Sequence, residues 1–369
     1  MATSGRRLET SVCRSALYNL RLPASRRRRI STPRLSAPAL SVPAADPSPA
    51  AAVLGLIAED MAEVDLVIAR RLDTGVPLVR QVSKYIISAG GKRLRPALLL
   101  LMAGALGYRG DQRFNLAAVV EFIHTATLLH DDVVDESTLR RGRPTANESF
   151  GNPASVLVGD FLYSRAFQMM LDANDVRVMQ ILAEATNVIA EGEVLQLMNM
   201  HDASLDEEAY LRVIRSKTAK LFEASTRLAA VLAGASPQVE AASAAYGQAL
   251  GTAFQVIDDV LDYAGDANET GKNVGDDLRE GKTTLPLILA MQRGKIEERD
   301  LIRAAIEAGD TAQLPQIVAI VRETGALEAT RAAAAAEAQR AMDALAGFPV
   351  NSHSDGLLQL AAQLLERRA

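Results

Sequence analysis

Two clusters of aspartates carry the most chemistry in this chain. LLHDDVVD holds Asp131, Asp132 and Asp135, and VIDDVLD, 127 residues further on, holds Asp258, Asp259 and Asp262. Each closes an apolar helical run, EFIHTATLL before the first and LGTAFQVI before the second. Residues four apart share a helix face, so Asp131 projects with Asp135 and Asp258 with Asp262. Like charges at that spacing destabilise a helix by about 0.2–0.5 kcal/mol. Carboxylates beside an apolar core cost more unless something neutralises them, and a divalent cation does so directly. Carboxylate oxygens with few histidines favour magnesium or another hard ion, which bridges protein carboxylates to substrate phosphates. Two facing clusters would hold a diphosphate between them. One such cluster alone would read as a solvated helix end or a cap; two copies that both end apolar helices argue against that.

A diphosphate also needs fixed cations. Lys92 and Arg95 stand three apart beside Gly90-Gly91, where the backbone can approach an anion. Arg140 and Arg141 follow the first cluster, and arginine forks match phosphate oxygens better than lysine does. Lys217-Thr218 sits in a helical run. Lys272 and Lys282 flank a glycine-rich segment, 265–282, that also holds Asp276 and Asp277 and reads as a mobile lid. Taken singly, each of these cations is more often a solvated surface group. His124, seven residues before Asp131, is placed either as a satisfied core histidine or as a donor to a phosphate oxygen. His130 adjoins Asp131 without a second metal-type histidine spacing, so a His-Asp metal hydrolase has weak support. No Ser-His-Asp or Cys-His constellation offers a nucleophile.

These groups must be positioned by helices. Aromatic residues make up only 4% of the sequence, with no Trp, while alanine and leucine dominate, a balance that disfavours strands. Apolar residues recur at three- and four-residue spacing through 53–72, 112–136, 153–171, 176–200, 207–234, 238–263 and 283–293. ALEATRAAAAAEAQRAMDALAG reads as a surface helix stabilised by intrinsic propensity. No strand pattern and no repeat emerges, so the expectation is an all-α fold with one domain over 51–369. The longest strongly apolar stretch, Ala97 to Leu106, is too short for a bilayer, which needs about 20 residues, so no transmembrane segment is expected and the body reads as soluble.

Residues 1–50 differ in kind. They hold nine arginines against Glu9 and Asp46, leaving 31 basic and 43 acidic residues in the remainder. Such an acidic body is a poor nucleic-acid binder. The basic segment reads as a transit peptide, a disordered tail, or an extension upstream of a start at Met61. Its Cys13 is the only cysteine, which excludes an intrachain disulfide and a thiolate zinc site.

GGKRLRP, LLHDDVVDESTLRRGRPTAN, the Lys217-Thr218 pair, FQVIDDVLDY and GKNVGDDLREGKTTLPL, in that order, resemble the trans-prenyl diphosphate synthases. The resemblance runs from about residue 55 to the C-terminus. FGNPASVLVGDFLYSRAFQMM and NVIAEGEVLQLMN look like the bacterial octaprenyl diphosphate synthases, which supply quinone side chains. The resemblance implies an isoprenoid synthase-type helical bundle around a deep central cavity, acting as a homodimer. It implies two or three magnesium ions held by Asp131, Asp135 and Asp258, with Asp132, Asp259 and Asp262 near them. Arg140, Lys217, Thr218, Gln255, Lys272 and Lys282 would contact an allylic diphosphate such as farnesyl diphosphate. Lys92, Arg95, His124 and Arg141 would bind isopentenyl diphosphate. Magnesium and the cations would stabilise the departing diphosphate, and the isopentenyl double bond would attack the allylic cation left behind.

Small residues at 126 and 127, near Ile123, are expected to leave the cavity open to a long product, although Ala126 also fits a helix-packing contact. Shorter farnesyl or geranylgeranyl products, or solanesyl, are the alternatives in product length. A terpene cyclase would lack the second cluster, and a regulatory subunit of a heteromeric synthase would lack one or both. The N-terminal extension is the one departure from the family, and it bears on compartment: cytoplasm for a bacterial-type body, mitochondrion or plastid if residues 1–50 are a transit peptide.

Overall fold

The computed structural model describes residues 49–88, 90–91, 93–140, 142–264 and 274–366. The expectations for residues 1–48, Lys92, Arg141 and Lys272 lie outside them. The chain begins with α1 (Pro49–Gly55), α2 (Ala58–Arg71), α3 (Pro77–Ser88), α4 (Leu94–Ala105) and α5 (Gln112–Val134). A short hairpin, Leu139–Arg140 paired antiparallel with Arg143–Pro144, leads to α6 (Ala146–Phe150), α7 (Asn152–Leu171) and α8 (Val176–Met198). Then come α9 (Glu207–Ile214), a π-helical turn over Arg215–Ala219, α10 (Lys220–Leu232) and α11 (Pro237–Ala264). The remainder is α12 (Asp276–Arg279), α13 (Leu285–Arg293), α14 (Ile296–Ala308), α15 (Leu314–Glu323), α16 (Ala326–Ala344) and α17 (Ser352–Leu365).

The all-α expectation holds, and helix ends fall within about two residues of the periodic segments for α5, α7, α8, α11 and α13. At the centre lies α4, where every residue from Pro96 to Ala105 is buried. A helix apolar on all sides has no solvent face to offer, so it is enclosed by α5, α10 and α17. α5 packs on α7, α10 on α11, and α11 on α16. None of the described helices is long and apolar enough to cross a membrane.

Four sequence expectations need correction. The segment 53–72 is broken at Leu56-Ile57 between α1 and α2, and 207–234 is interrupted by the π turn. The hairpin is a real, if minimal, pair of strands. Within the described part of the expected lid, 274–282, Asp276–Arg279 form the short helix α12. The alanine-rich helix α16 is not merely a surface helix. Ala334, Ala338 and Ala341 are fully buried, because small side chains let its backbone approach α11 closely.

Candidate active site

A pocket of about 870 Å³ collects the N-terminal end of α4, the C-terminal ends of α5 and α11, the π turn and the segment around α12. Asp131, Asp135, Asp258, Asp259 and Asp262 all border it, with Arg95, His124, Arg140, Lys217, Thr218, Gln255 and Lys282. Asp132 stands behind this surface, fully buried.

The first cluster is held by cations. The hairpin folds Arg140 back over the end of α5, where its Nε and Nη2 lie 2.8 and 2.6 Å from Asp132 Oδ1. Asp132 Oδ2 is buried without a hydrogen-bond partner. Burial raises the Asp132 carboxyl above its usual range, and Arg140 opposes the rise. Lys217 is shared between Asp131 Oδ2, at 3.9 Å, and Glu193 Oε2, at 2.5 Å. Lys282 is shared between Asp135 Oδ2, at 3.3 Å, and Glu280 Oε2, at 2.5 Å. Burial lifts Asp131 too, with Lys217 opposing and Asp135 adding to it. Burial alone would depress Lys282, yet Glu280, Asp135 and Asp277 outweigh it and hold the ammonium charged.

The described partners of Asp259 and Asp262 are neutral. Asp259, only 3% exposed, accepts from the Tyr210 hydroxyl at 2.6 Å and from Gln255 Nε2 at 2.7 Å. Gln255 Oε1 in turn accepts from the Thr218 hydroxyl at 3.0 Å. Burial and the charge of Asp277 push the Asp259 carboxyl well up, against the two donors. Burial and Asp259 also push the Tyr210 phenol up, so it remains a protonated donor. The Asp262 carboxylate accepts from the backbone N–H groups of Asp276 and Asp277, both at 3.2 Å, and so caps α12.

The π turn brings Lys217 and Thr218 together on the pocket wall. Two glycines make room for it. A Cβ on Gly192 of α8 would lie 2.8 Å from Lys217 N, and one on Gly251 of α11 would lie 2.7 Å from Ala219 Cα. π turns inside α-helices are frequently found at functional sites.

Arg95 is oriented from two sides: its guanidinium carbon lies 4.6 Å above the Phe222 ring, and Nη1 is 3.1 Å from His124 Nε2. Arginine only donates, so that histidine nitrogen is the acceptor. His124 thus borders the pocket beside Arg95. Thr127 borders the pocket, but Ile123 and Ala126 are fully buried and do not, which corrects their expected place in the lining.

Sequence reading missed Glu193 and Tyr210. Glu193 falls on the stripe of buried α8 positions Leu182, Thr186 and Ile189, where an acid is a signal in itself. Its carboxyl is pushed up to about 7 by burial and the charge of Asp131, against the pull of Lys217. Tyr210 gave no such signal. Among the described residues no three His, Cys or carboxylate groups converge on one point. The donors are instead arranged as carboxylate pairs on two helix ends.

The polyprenyl synthetase family profile matches residues 76–323. The octaprenyl diphosphate synthase of Escherichia coli (strain K12) is 52% identical over 313 residues, 85% of this chain and 97% of that protein. A solved polyprenyl synthase from Caulobacter crescentus CB15, complexed with calcium and isoprenyl diphosphate, is 46% identical with a TM-score of 0.83, covering 86% of this chain and 97% of that one. A decaprenyl diphosphate synthase structure from Rhodobacter capsulatus is 48% identical with a TM-score of 0.82, covering 86% and 98%.

Proposed function

The chain belongs to the polyprenyl synthetase family, and from that premise we propose how its pocket works, which ions it takes and which product it makes. It is a prenyltransferase, a polyprenyl diphosphate synthase with an isoprenoid synthase fold. The observation that carries the mechanism is the pairing of Asp131 with Asp135 and of Asp258 with Asp262 around one pocket that Lys217 and Lys282 also line.

The donors fit magnesium. They are hard carboxylate oxygens in pairs, and magnesium takes one or two carboxylates and completes its shell with water and phosphate. Asp131, Asp135 and Asp258 would hold the ions, and calcium in the Caulobacter relative is a hard ion of the same preference. When bound, the ions would withdraw charge from the diphosphate as the allylic carbon–oxygen bond breaks. The protein's own part is positional. Lys217 and Lys282, each shared between two acids, are placed to turn part of their charge to an arriving allylic diphosphate, with Arg140, Thr218 and Gln255 beside them. Arg95 and His124, with Lys92 and Arg141, would orient isopentenyl diphosphate. The allylic bond electrons leave with the diphosphate, the isopentenyl double bond attacks the cation, and a proton is lost from the adjacent carbon to the diphosphate.

An octaprenyl product is supported by the 52% identity to the octaprenyl enzyme. The decaprenyl enzyme at 48% makes a longer product the competing outcome. A homodimer is supported by the surface: nine of the nineteen exposed large hydrophobic side chains among the described residues lie between Val156 and Met198, on α7, α8 and their junction. We place the body in the cytoplasm, with quinone side-chain synthesis as the destination of the product. Purified protein given magnesium, labelled isopentenyl diphosphate and farnesyl diphosphate should yield octaprenyl diphosphate as the dominant chain. A short product would overturn the chain length, and no elongation would overturn the reaction.

A further inference from the structure

Tyr210 belongs to α9, whose start is capped by Asp206 Oδ1 accepting from Ala209 N at 2.8 Å. The tyrosine is 3% exposed and reaches across to Asp259 of α11. From that bond a directional chain follows. The carboxylate accepts from Tyr210 through Oδ2 and from Gln255 through Oδ1, and Gln255 accepts from Thr218 through its own oxygen. Gln255 thus turns its nitrogen toward Asp259 and its oxygen toward Thr218. One N–H of the amide is then left for a ligand in the pocket that Gln255 lines.

We propose that Tyr210 is a positioning residue of the allylic diphosphate site: by anchoring Asp259 it fixes the Gln255 amide so that an N–H, not the oxygen, faces the anion. This rests on the diphosphate-binding role given to the pocket above. Without the phenol, the second oxygen of a buried carboxylate loses its donor, and the side chain is free to turn or to reorganise around Gln255. The amide then samples the flipped state, which would present oxygen to a phosphate. Tyr210 needs no contact with substrate for this.

Tyr210→Phe, assayed for elongation with magnesium, farnesyl diphosphate and isopentenyl diphosphate, should raise the KM for farnesyl diphosphate roughly tenfold, the scale of one charge-assisted hydrogen bond. The KM for isopentenyl diphosphate should stay near the wild-type value. In a Gln255→Ala background the same change should have no further effect. Asp259→Asn, which can offer an N–H to Gln255 Oε1, should reproduce the split, and it decides the matter if Tyr210→Phe does not fold. The proposal is overturned if both KM values rise alike, if neither moves, or if the full effect persists without Gln255. A wild-type protein that does not elongate would overturn the functional reading itself, whereas an active wild type with an unaffected Tyr210→Phe overturns this proposal alone.

Discussion

The two aspartate clusters look alike in sequence, but their described partners differ in kind. Around the first, Asp131, Asp132 and Asp135 face Lys217, Arg140 and Lys282. Around the second, Asp259 and Asp262 accept from a phenol, an amide and two backbone N–H groups. A lysine ammonium meets a carboxylate as a point charge, while a phenol, an amide or a backbone N–H approaches it along a defined direction. The first cluster is therefore met by cations before any substrate arrives, and those cations can be shared with one. The second has its geometry set in advance. The same spacing of acids thus meets cations in the first cluster and directional neutral donors at Asp259 and Asp262 of the second.

Four changes would break or sharpen that contrast. The largest effect is expected from Asp131→Ala or Asp258→Ala, each lowering kcat by about a thousandfold or more, because each removes a carboxylate aimed at developing charge. Circular dichroism should show unchanged helicity, and full activity in either variant would remove that residue from the site. Next comes Arg140→Ala, which strands the buried Asp132 carboxylate and should cost about 3–5 kcal/mol of stability. Adding Asp132→Asn should restore much of the loss in a urea titration; if it does not, the pair is not what holds the hairpin.

Gly192→Ala is smaller, about 1–3 kcal/mol of overpacking, since its Cβ would press on Lys217 N and shift the π turn. Its signature is a fall in kcat/KM larger than the fall in melting temperature would explain. An unaffected kcat/KM would show that the turn tolerates displacement.

The smallest effect is on pH dependence through Glu193. Its folded-state pKa is raised to about 7 from an ordinary 4.5. Between those values the folded state binds more protons than the unfolded one, so this group lowers stability as pH rises from about 4.5 through 7. Glu193→Gln should remove that slope. Its melting temperature should gain on wild type by a few degrees between pH 5 and pH 8. A constant difference across that range would assign the penalty to another group.

Much of the site was legible because charge has few tolerated places beside an apolar core. Each five-residue acid motif announced itself by ending an apolar run, and Lys217-Thr218 and Gln255 came with the family resemblance. Tyr210 was not legible, because a tyrosine on an amphipathic helix is ordinary core material until its hydroxyl is seen to reach Asp259. Ala126 misled for the converse reason. Its place in the helix pattern was right, but the pattern has no means of telling a pocket wall from a packed interface.

By itself the sequence determined the helical class, the two acidic helix ends and the cations available to meet them, since periodicity and charge cost act locally along the chain. Only the tertiary structure decided which acid faces a lysine and which a phenol, and where a helix must widen into a π turn. Those outcomes depend on how closely α8 and α11 approach the same five residues, and that distance is set by glycines far apart in sequence.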